Sequence, residues 1–200
     1  NAVEASKFSN TISDARISPD MTPEQTDKLV SLLHKHKLAF ATADEPFGCI
    51  KGHEVRINLN TSRPYPPALI KASYPASPRS REALQQHVNE LVRMKVLRKV
   101  GANENVEVTT PVIIAWHNDK SRMVGDLRAL NTYTIPDRYP MPKISEAITQ
   151  LKNAKFITCM DVLKGFHQNV IHEASRHLLR IILHMGIYAY LRMPFRIKNP

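Results

Sequence analysis

The residues with the clearest chemical potential lie in "KFITCMDVLKGFHQNVI", Lys155 to Ile171. An apolar run of strand character ends in a lone carboxylate, Asp161, and an aromatic ring, Phe166, follows five positions later. No basic residue stands beside Asp161 in sequence until Lys164. A carboxylate at the exit of a strand can serve a hard divalent cation such as Mg²⁺, which favours carboxylate and phosphate oxygens. It can equally cap the next turn through backbone amides, and on this stretch alone the cap is the simpler role.

The charge around that carboxylate suggests what a metal there would act on. The 200 residues carry a formal net charge of +10. Residues 1–50 hold five Lys/Arg against seven Asp/Glu, a balance of −2, which leaves +12 for residues 51–200. A basic body attracts polyanions, nucleic acid first and an anionic membrane surface second, although a basic protein without such partners has the same composition. No run of eighteen apolar residues occurs, so neither a transmembrane helix nor a membrane partner is expected. The start, "NAVEASKFSN", lacks the basic and apolar regions of a signal peptide, and it lacks an initiator methionine, as a piece of a longer protein would. Cys49 and Cys159 match no metal or redox spacing and read as reduced thiols in a cytosolic or nuclear protein. The nine histidines, including "HKHK" and the pair His172 and His177, fit no zinc ligand set.

The elements that must position these groups follow from periodicity. Residues 1–50 read as a leader or linker with one amphipathic helix. That helix starts at Thr22 as N-cap, with Pro23 in the first position and Gln25 completing a capping box. Leu29, Leu32, Leu33, His36 and Phe40 form its stripe. Residues 51–200 form the body. "HEVRINLN" alternates as a half-buried strand, and the proline-rich "TSRPYPPALIKASYPASP" must run extended. Ser77 and Pro78 open a helix reaching Met94, with Leu84, Val88, Leu91 and Val92 inward and Arg79, Arg81, Arg93 and Lys95 outward. Strands are expected at 96–100, 111–116 and 122–126, the last two joined by the turn "HNDKS". A proline-rich link leads to a helix with Ile144, Ala147, Ile148 and Leu151 on one side. The strand ending at Asp161 comes next, then a short helical piece at 173–177 and the strands "LLRIIL" and "IYAYLRM". Interspersed helices and tightly linked strands give an α+β class with antiparallel pairing.

The order of motifs gives Asp161 its metal role. "TPVIIAWHNDKSRMVGDLRALNTYTIPDRYPMPKISEAITQLKNAKFITCMDVLKGFHQNVI", followed by "GIYAYLRMPFRIKNP", resembles the reverse transcriptase of gypsy-type long-terminal-repeat retrotransposons. The resemblance includes fungal members with a "WHDGKSRM" hairpin. The resemblance runs from about His53 to Pro200 and is strongest after Thr110. It implies the fingers and the first part of the antiparallel-sheet palm of a right-hand polymerase. It also implies an RNA-directed DNA polymerase activity, with primer and RNA or DNA template and dNTPs as partners and two Mg²⁺ ions as cofactors.

Residue by residue, the resemblance makes Asp161 the first catalytic aspartate and a ligand to both metal ions, with the carbonyl of Val162 as a further ligand. Phe166 matches the aromatic under the incoming sugar that excludes a 2′-hydroxyl by steric clash. Arg122 matches the fingers arginine that contacts the phosphates of the nucleotide. Arg128, in "DLRALN", matches a template contact. In "RMPF", Phe195 matches the floor of the nucleotide pocket.

Three departures from the family stand out. The later "Y-x-D-D" turn, source of two more carboxylates, does not occur in these 200 residues. One carboxylate cannot clamp two metal ions about 3.5–4 Å apart, so these residues alone are not expected to polymerise. Arg196 stands where the family has glycine, a residue that permits close backbone approach to substrate. The lysine-rich hairpin turn is "HNDK", with Trp116 or His117 in place of the phosphate-contacting lysine. The last two changes favour a decayed copy, so a non-catalytic, nucleic-acid-binding fragment is the alternative function.

Overall fold

The computed structural model describes residues 16–41, 47–155, 157, 159 and 161–198. By internal contacts the chain divides into two compact units, residues 1–48 and 49–200.

In the first unit, helix α1 spans Pro23–Lys35. Its start follows the local chemistry of the sequence. The Thr22 hydroxyl accepts from the Gln25 amide at 3.3 Å, and the Gln25 side chain accepts from the Thr22 amide at 2.9 Å. Two otherwise orphaned donors are thereby satisfied, and Pro23 needs none. His34 and Lys35 place cationic or polar groups in the last turn, where the helix dipole favours them. None of its residues is buried, and a single 3₁₀ turn follows at Lys37–Ala39.

The second unit is built on a five-stranded sheet. Its strands are β2 (Leu97–Lys99), β3 (Thr110–His117), β4 (Lys120–Gly125), β6 (Arg180–Leu183) and β7 (Gly186–Tyr190), in the order β2-β7-β6-β3-β4. β1 (Glu54–Val55) and β5 (Val170–Ile171) form a separate parallel pair. In the main sheet only β3 and β6 run parallel, and the other neighbours are antiparallel. The β3–β4 hairpin pairs from Val112↔Gly125 to His117↔Lys120. Asn118 and Asp119 alone form its loop, at φ 46° and 60°. Two successive left-handed residues make the tight turn whose twist matches paired strands, and Asn and Asp tolerate that backbone best after glycine.

Helix α2, Pro78–Arg93, packs against β2, β3 and β4. Ser77 caps it by accepting from the Ser80 amide at 3.3 Å. Its buried face is Ala83, Leu84 and Val88, whereas Val92, expected inside, is exposed. Val88, Val96, Leu97, Val108, Ile171, Ile181 and Ala189 are essentially inaccessible to solvent and form the core. Fully burying such an aliphatic side chain is worth about 1.5–3 kcal/mol. Short helices α3 (Arg128–Tyr133) and α4 (Ile144–Gln150) complete the unit. The expected stripe of α4 exists but points outward, with Ile144, Ile148 and Leu151 all exposed.

Two expected strands differ from their sequence pattern. "HEVRINLN" pairs only at Glu54–Val55, with a further bridge from Leu59 to Thr134. Its alternation survives, with Ile57 buried and Arg56 and Asn58 exposed, because it tracks burial on one side rather than a continuous ladder. The run leading to Asp161 is the larger difference. Its described residues, Lys155, Ile157, Cys159 and Asp161, are exposed and belong to no strand. Phe156, Thr158 and Met160 lie outside the described residues. Strand propensity needs a partner edge, and none of the described strands pairs there.

Candidate active site

Phe166 lies in a 3₁₀ turn, Gly165–Gln168, entered through Lys164 at φ 48°. Phe195 lies beyond the end of β7 in the "RMPF" segment. The fold brings the two rings together, with centroids 5.0 Å apart and planes tilted by 60°. His167 completes the cluster, edge-on to Phe195 at 5.2 Å. Its Nδ1 donates to the Met193 carbonyl at 3.0 Å, which joins the two chain segments. Burial pushes the His167 imidazole below its ordinary pKa, so at neutral pH it is an uncharged brace.

These rings border a cavity of about 590 Å³. Arg122, from β4, Phe166 and Phe195 all line it, so three of the residues matched to nucleotide binding share one space. Tyr190, Leu91 and Met94 supply apolar walls, and Lys164 and Arg196 add cationic ones. The Lys164 ammonium is paired with Glu90 of α2 at 3.2 Å and lies 3.5 Å from the Met94 sulfur. Glu90 and Met94 gave no sequence signal, because Lys164 is 74 residues distant from Glu90. Arg122 has no carboxylate partner among the described residues.

Arg196 occupies a left-handed backbone, φ 68°. That is the conformation for which glycine is the default residue, and it explains why an arginine there is a departure. Asn131 holds the turn: its side-chain amide donates to the Arg196 carbonyl at 2.9 Å, and its oxygen accepts from the Lys198 amide at 2.9 Å. Asn131 belongs to "DLRALN", so the motif carried a structural clamp beside the arginine to which a role was attached.

Asp161 and Arg128 lie outside that cavity. Asp161 is exposed, and it makes no ion pair among the described residues. Val162, its neighbour, is exposed and lines an adjoining hollow with Gly165, Asn169, Met193 and the same Phe166 and Phe195. Arg128, on α3, grips Asp126 with two contacts of 2.7 Å, and Tyr74 donates to the same carboxylate at 2.8 Å. The Arg128 guanidinium holds the Asp126 carboxyl below the usual carboxylate range, with Tyr74 assisting. The Arg128 side chain is otherwise 87% exposed, free to meet a second anion.

At the far end of the hairpin, Arg79 lies over the Trp116 ring, 4.1 Å from its centroid, and pairs with Asp119 at 3.2 Å. The tryptophan therefore ties the hairpin to the start of α2. His172 contacts Arg56 at 2.6 Å, and His177 contacts the Tyr65 hydroxyl at 2.9 Å. No group of three His, Cys, Asp or Glu able to hold a metal occurs among the described residues. No described helix is long and apolar enough to cross a membrane.

No protein-family profile matches the chain. Individual proteins do. The chain is 32% identical over 152 residues to the retrovirus-related Pol polyprotein from transposon opus of Drosophila melanogaster, covering 73% of the chain and 14% of that protein. It is 29% identical over 196 residues to the Pol polyprotein from transposon gypsy of the same fly, covering 94% of the chain and 18% of the polyprotein. The chain is a relative of the gypsy-type retrotransposon reverse transcriptases. Among solved structures, the prototype foamy virus protease–reverse transcriptase superposes with a TM-score of 0.72 at 21% identity, over 99% of the chain and 25% of the viral protein. A foamy viral protease–reverse transcriptase in complex with RNA/DNA hybrid gives 0.71 at 18% identity, over 98% and 25%. The chain spans under a fifth of the curated gypsy-type polyproteins it matches.

Proposed function

We propose that this chain is the fingers and first palm portion of an RNA-directed DNA polymerase within a longer retrotransposon polyprotein. The observation that carries the proposal is the convergence of Arg122, Phe166 and Phe195 on one cavity, from three separate chain segments. An apolar-walled space with a free guanidinium suits a deoxynucleotide, whose base and sugar need packing and whose phosphates need cations. In this scheme Arg122 contacts the phosphates, Phe166 excludes a 2′-hydroxyl and Phe195 closes the floor. Arg128 meets the template strand.

Asp161 is the residue that would hold Mg²⁺, with the Val162 carbonyl beside it. An exposed carboxylate with no ion pair among the described residues, whose neighbour Val162 lines the hollow adjoining the nucleotide cavity, fits a hard cation that is shared with phosphate oxygens. Such an ion would neutralise charge on the reacting phosphate. Two ions need further carboxylates, and no group of three His, Cys, Asp or Glu able to hold a metal occurs among the described residues. The polymerase activity is proposed for the longer protein. Location in the cytoplasm or nucleus follows from that function.

Primer–template, as RNA/DNA hybrid or duplex DNA, is the expected macromolecular partner. Titration of a labelled primer–template with the chain at rising salt tests this directly. Phosphate contacts release counterions, so affinity should fall steeply, roughly in proportion to the number of phosphates neutralised. Binding that is absent at low salt, or indifferent to salt, would contradict the proposal.

A non-catalytic nucleic-acid-binding role is favoured by one observation, the arginine at the glycine-type backbone of residue 196. It keeps the basic surface and loses only the chemistry.

A further inference from the structure

The cavity that carries the proposed function has more positive charge than its matched residues account for. Arg122, Lys164 and Arg196 line it, against the single carboxylate Glu90. Lys164 is committed to that carboxylate at 3.2 Å. The Arg196 guanidinium has no hydrogen-bond or ion-pair partner among the described residues, its backbone carbonyl alone being held, by Asn131. The pairing of Lys164 with Glu90 therefore leaves two uncompensated guanidiniums, Arg122 and Arg196, on one partly open cavity.

The backbone singles out the same residues. Among the described residues, five non-glycine residues adopt positive φ: Lys95, Asn118, Asp119, Lys164 and Arg196. Asn118 and Asp119 are the hairpin turn, where such residues are ordinary. Of the other three, Lys164 and Arg196 both line the cavity. A cationic side chain in a strained backbone, held there by the Asn131 hydrogen bond, is maintained against the cheaper choice of glycine. At the tip of the hairpin, meanwhile, Trp116 is covered by Arg79 and supplies no cation of its own.

We propose that Arg196 is a second phosphate-contacting residue of the nucleotide cavity, binding the triphosphate together with Arg122. The assignment rests on the nucleotide reading of the cavity. It turns the substitution at residue 196 from a sign of decay into a relocated anion contact. Lys164 stays with Glu90 as the wall that ties the Phe166 turn to α2.

The test is calorimetric titration of the chain with inorganic tripolyphosphate, free of metal, using Arg196→Gly, Arg196→Lys and Arg122→Ala. Arg196→Gly relieves the strained backbone, so it should fold and melt no lower than the parent. It should weaken tripolyphosphate binding roughly tenfold, the loss of one charge-assisted contact. Arg196→Lys, which keeps the charge, should retain most of the affinity. Unchanged or tighter binding by Arg196→Gly, with Arg122→Ala weakened, overturns the role of Arg196 and leaves the cavity as a nucleotide site. No binding by the parent chain overturns both. A loss in Arg196→Gly confined to a single-stranded oligonucleotide, with tripolyphosphate unaffected, also overturns it.

Discussion

Phe166 and Phe195 meet with ring centroids 5.0 Å apart and planes tilted by 60°, and both rings also border the cavity lined by Arg122. The contact fixes one aromatic against another, so the Phe166 ring cannot swing away to admit a bulkier sugar without losing a ring–ring interaction worth about 0.5–1.5 kcal/mol. The sugar-excluding role proposed for Phe166 requires a stiff ring, and this contact stiffens it.

Replacing Phe166 by valine should therefore relax sugar selection in the complete polyprotein. Incorporation of ribonucleotides relative to deoxynucleotides is expected to rise by one to two orders of magnitude, roughly the factor for a loss of 1.4–3 kcal/mol of discrimination. Single-nucleotide extension with matched rNTP and dNTP measures it. Unaltered discrimination would remove Phe166 from the sugar position.

Arg128 should behave differently, because its partner Asp126 already satisfies two of its donors. Arg128→Ala is expected to weaken primer–template binding about evenly across sequences and to lower the salt slope by about one. Anisotropy titrations at several salt concentrations report both quantities. A change in dNTP affinity instead would move Arg128 to the nucleotide cavity.

Stability in acid should depend on Glu104. Its carboxylate receives the Arg98 guanidinium at 2.6 and 2.8 Å, the Gly101 amide at 2.9 Å and Arg180 at 3.3 Å. The Arg98 contacts above all, then the Gly101 amide, hold this carboxyl at about 2. A carboxyl with a lower pKa folded than unfolded binds fewer protons when folded. Its contribution is complete above the ordinary value of 4.5 and is lost as pH falls from there towards 2. Thermal melts of the chain and of Glu104→Gln should differ most at neutral pH and converge below about pH 2, by the same linkage. A difference that stays constant with pH would show that Glu104 contributes packing rather than charge.

The sequence was most informative where structure is local. Thr22, Pro23 and Gln25 start a helix by contacts three residues apart, and Asn118–Asp119 closes a hairpin by backbone preference alone. Ser77 and Pro78 do the same for α2. Legibility fell where the decisive partner is distant. Lys164 depends on Glu90 from another element, and Arg98 and Arg180 meet on Glu104 from two strands. In the run before Asp161, which has strand character, the described residues Ile157 and Cys159 lie in no strand, and Phe156, Thr158 and Met160 lie outside the described residues. At the site, motif order grouped Arg122, Phe166 and Phe195, which do line one cavity, yet it could not show that Arg196 takes a glycine's backbone or that Asn131 holds it there.

The central claim is that the Asp161 carboxylate serves metal-dependent nucleotidyl transfer. The most direct measurement is primer extension by the complete polyprotein carrying Asp161→Asn, alongside its binding of primer–template. Asparagine keeps the shape of the side chain and removes the charge a hard cation requires. Extension should disappear while duplex binding stays within about twofold, an effect below 0.5 kcal/mol. Extension at the parent rate by the asparagine variant would contradict the claim.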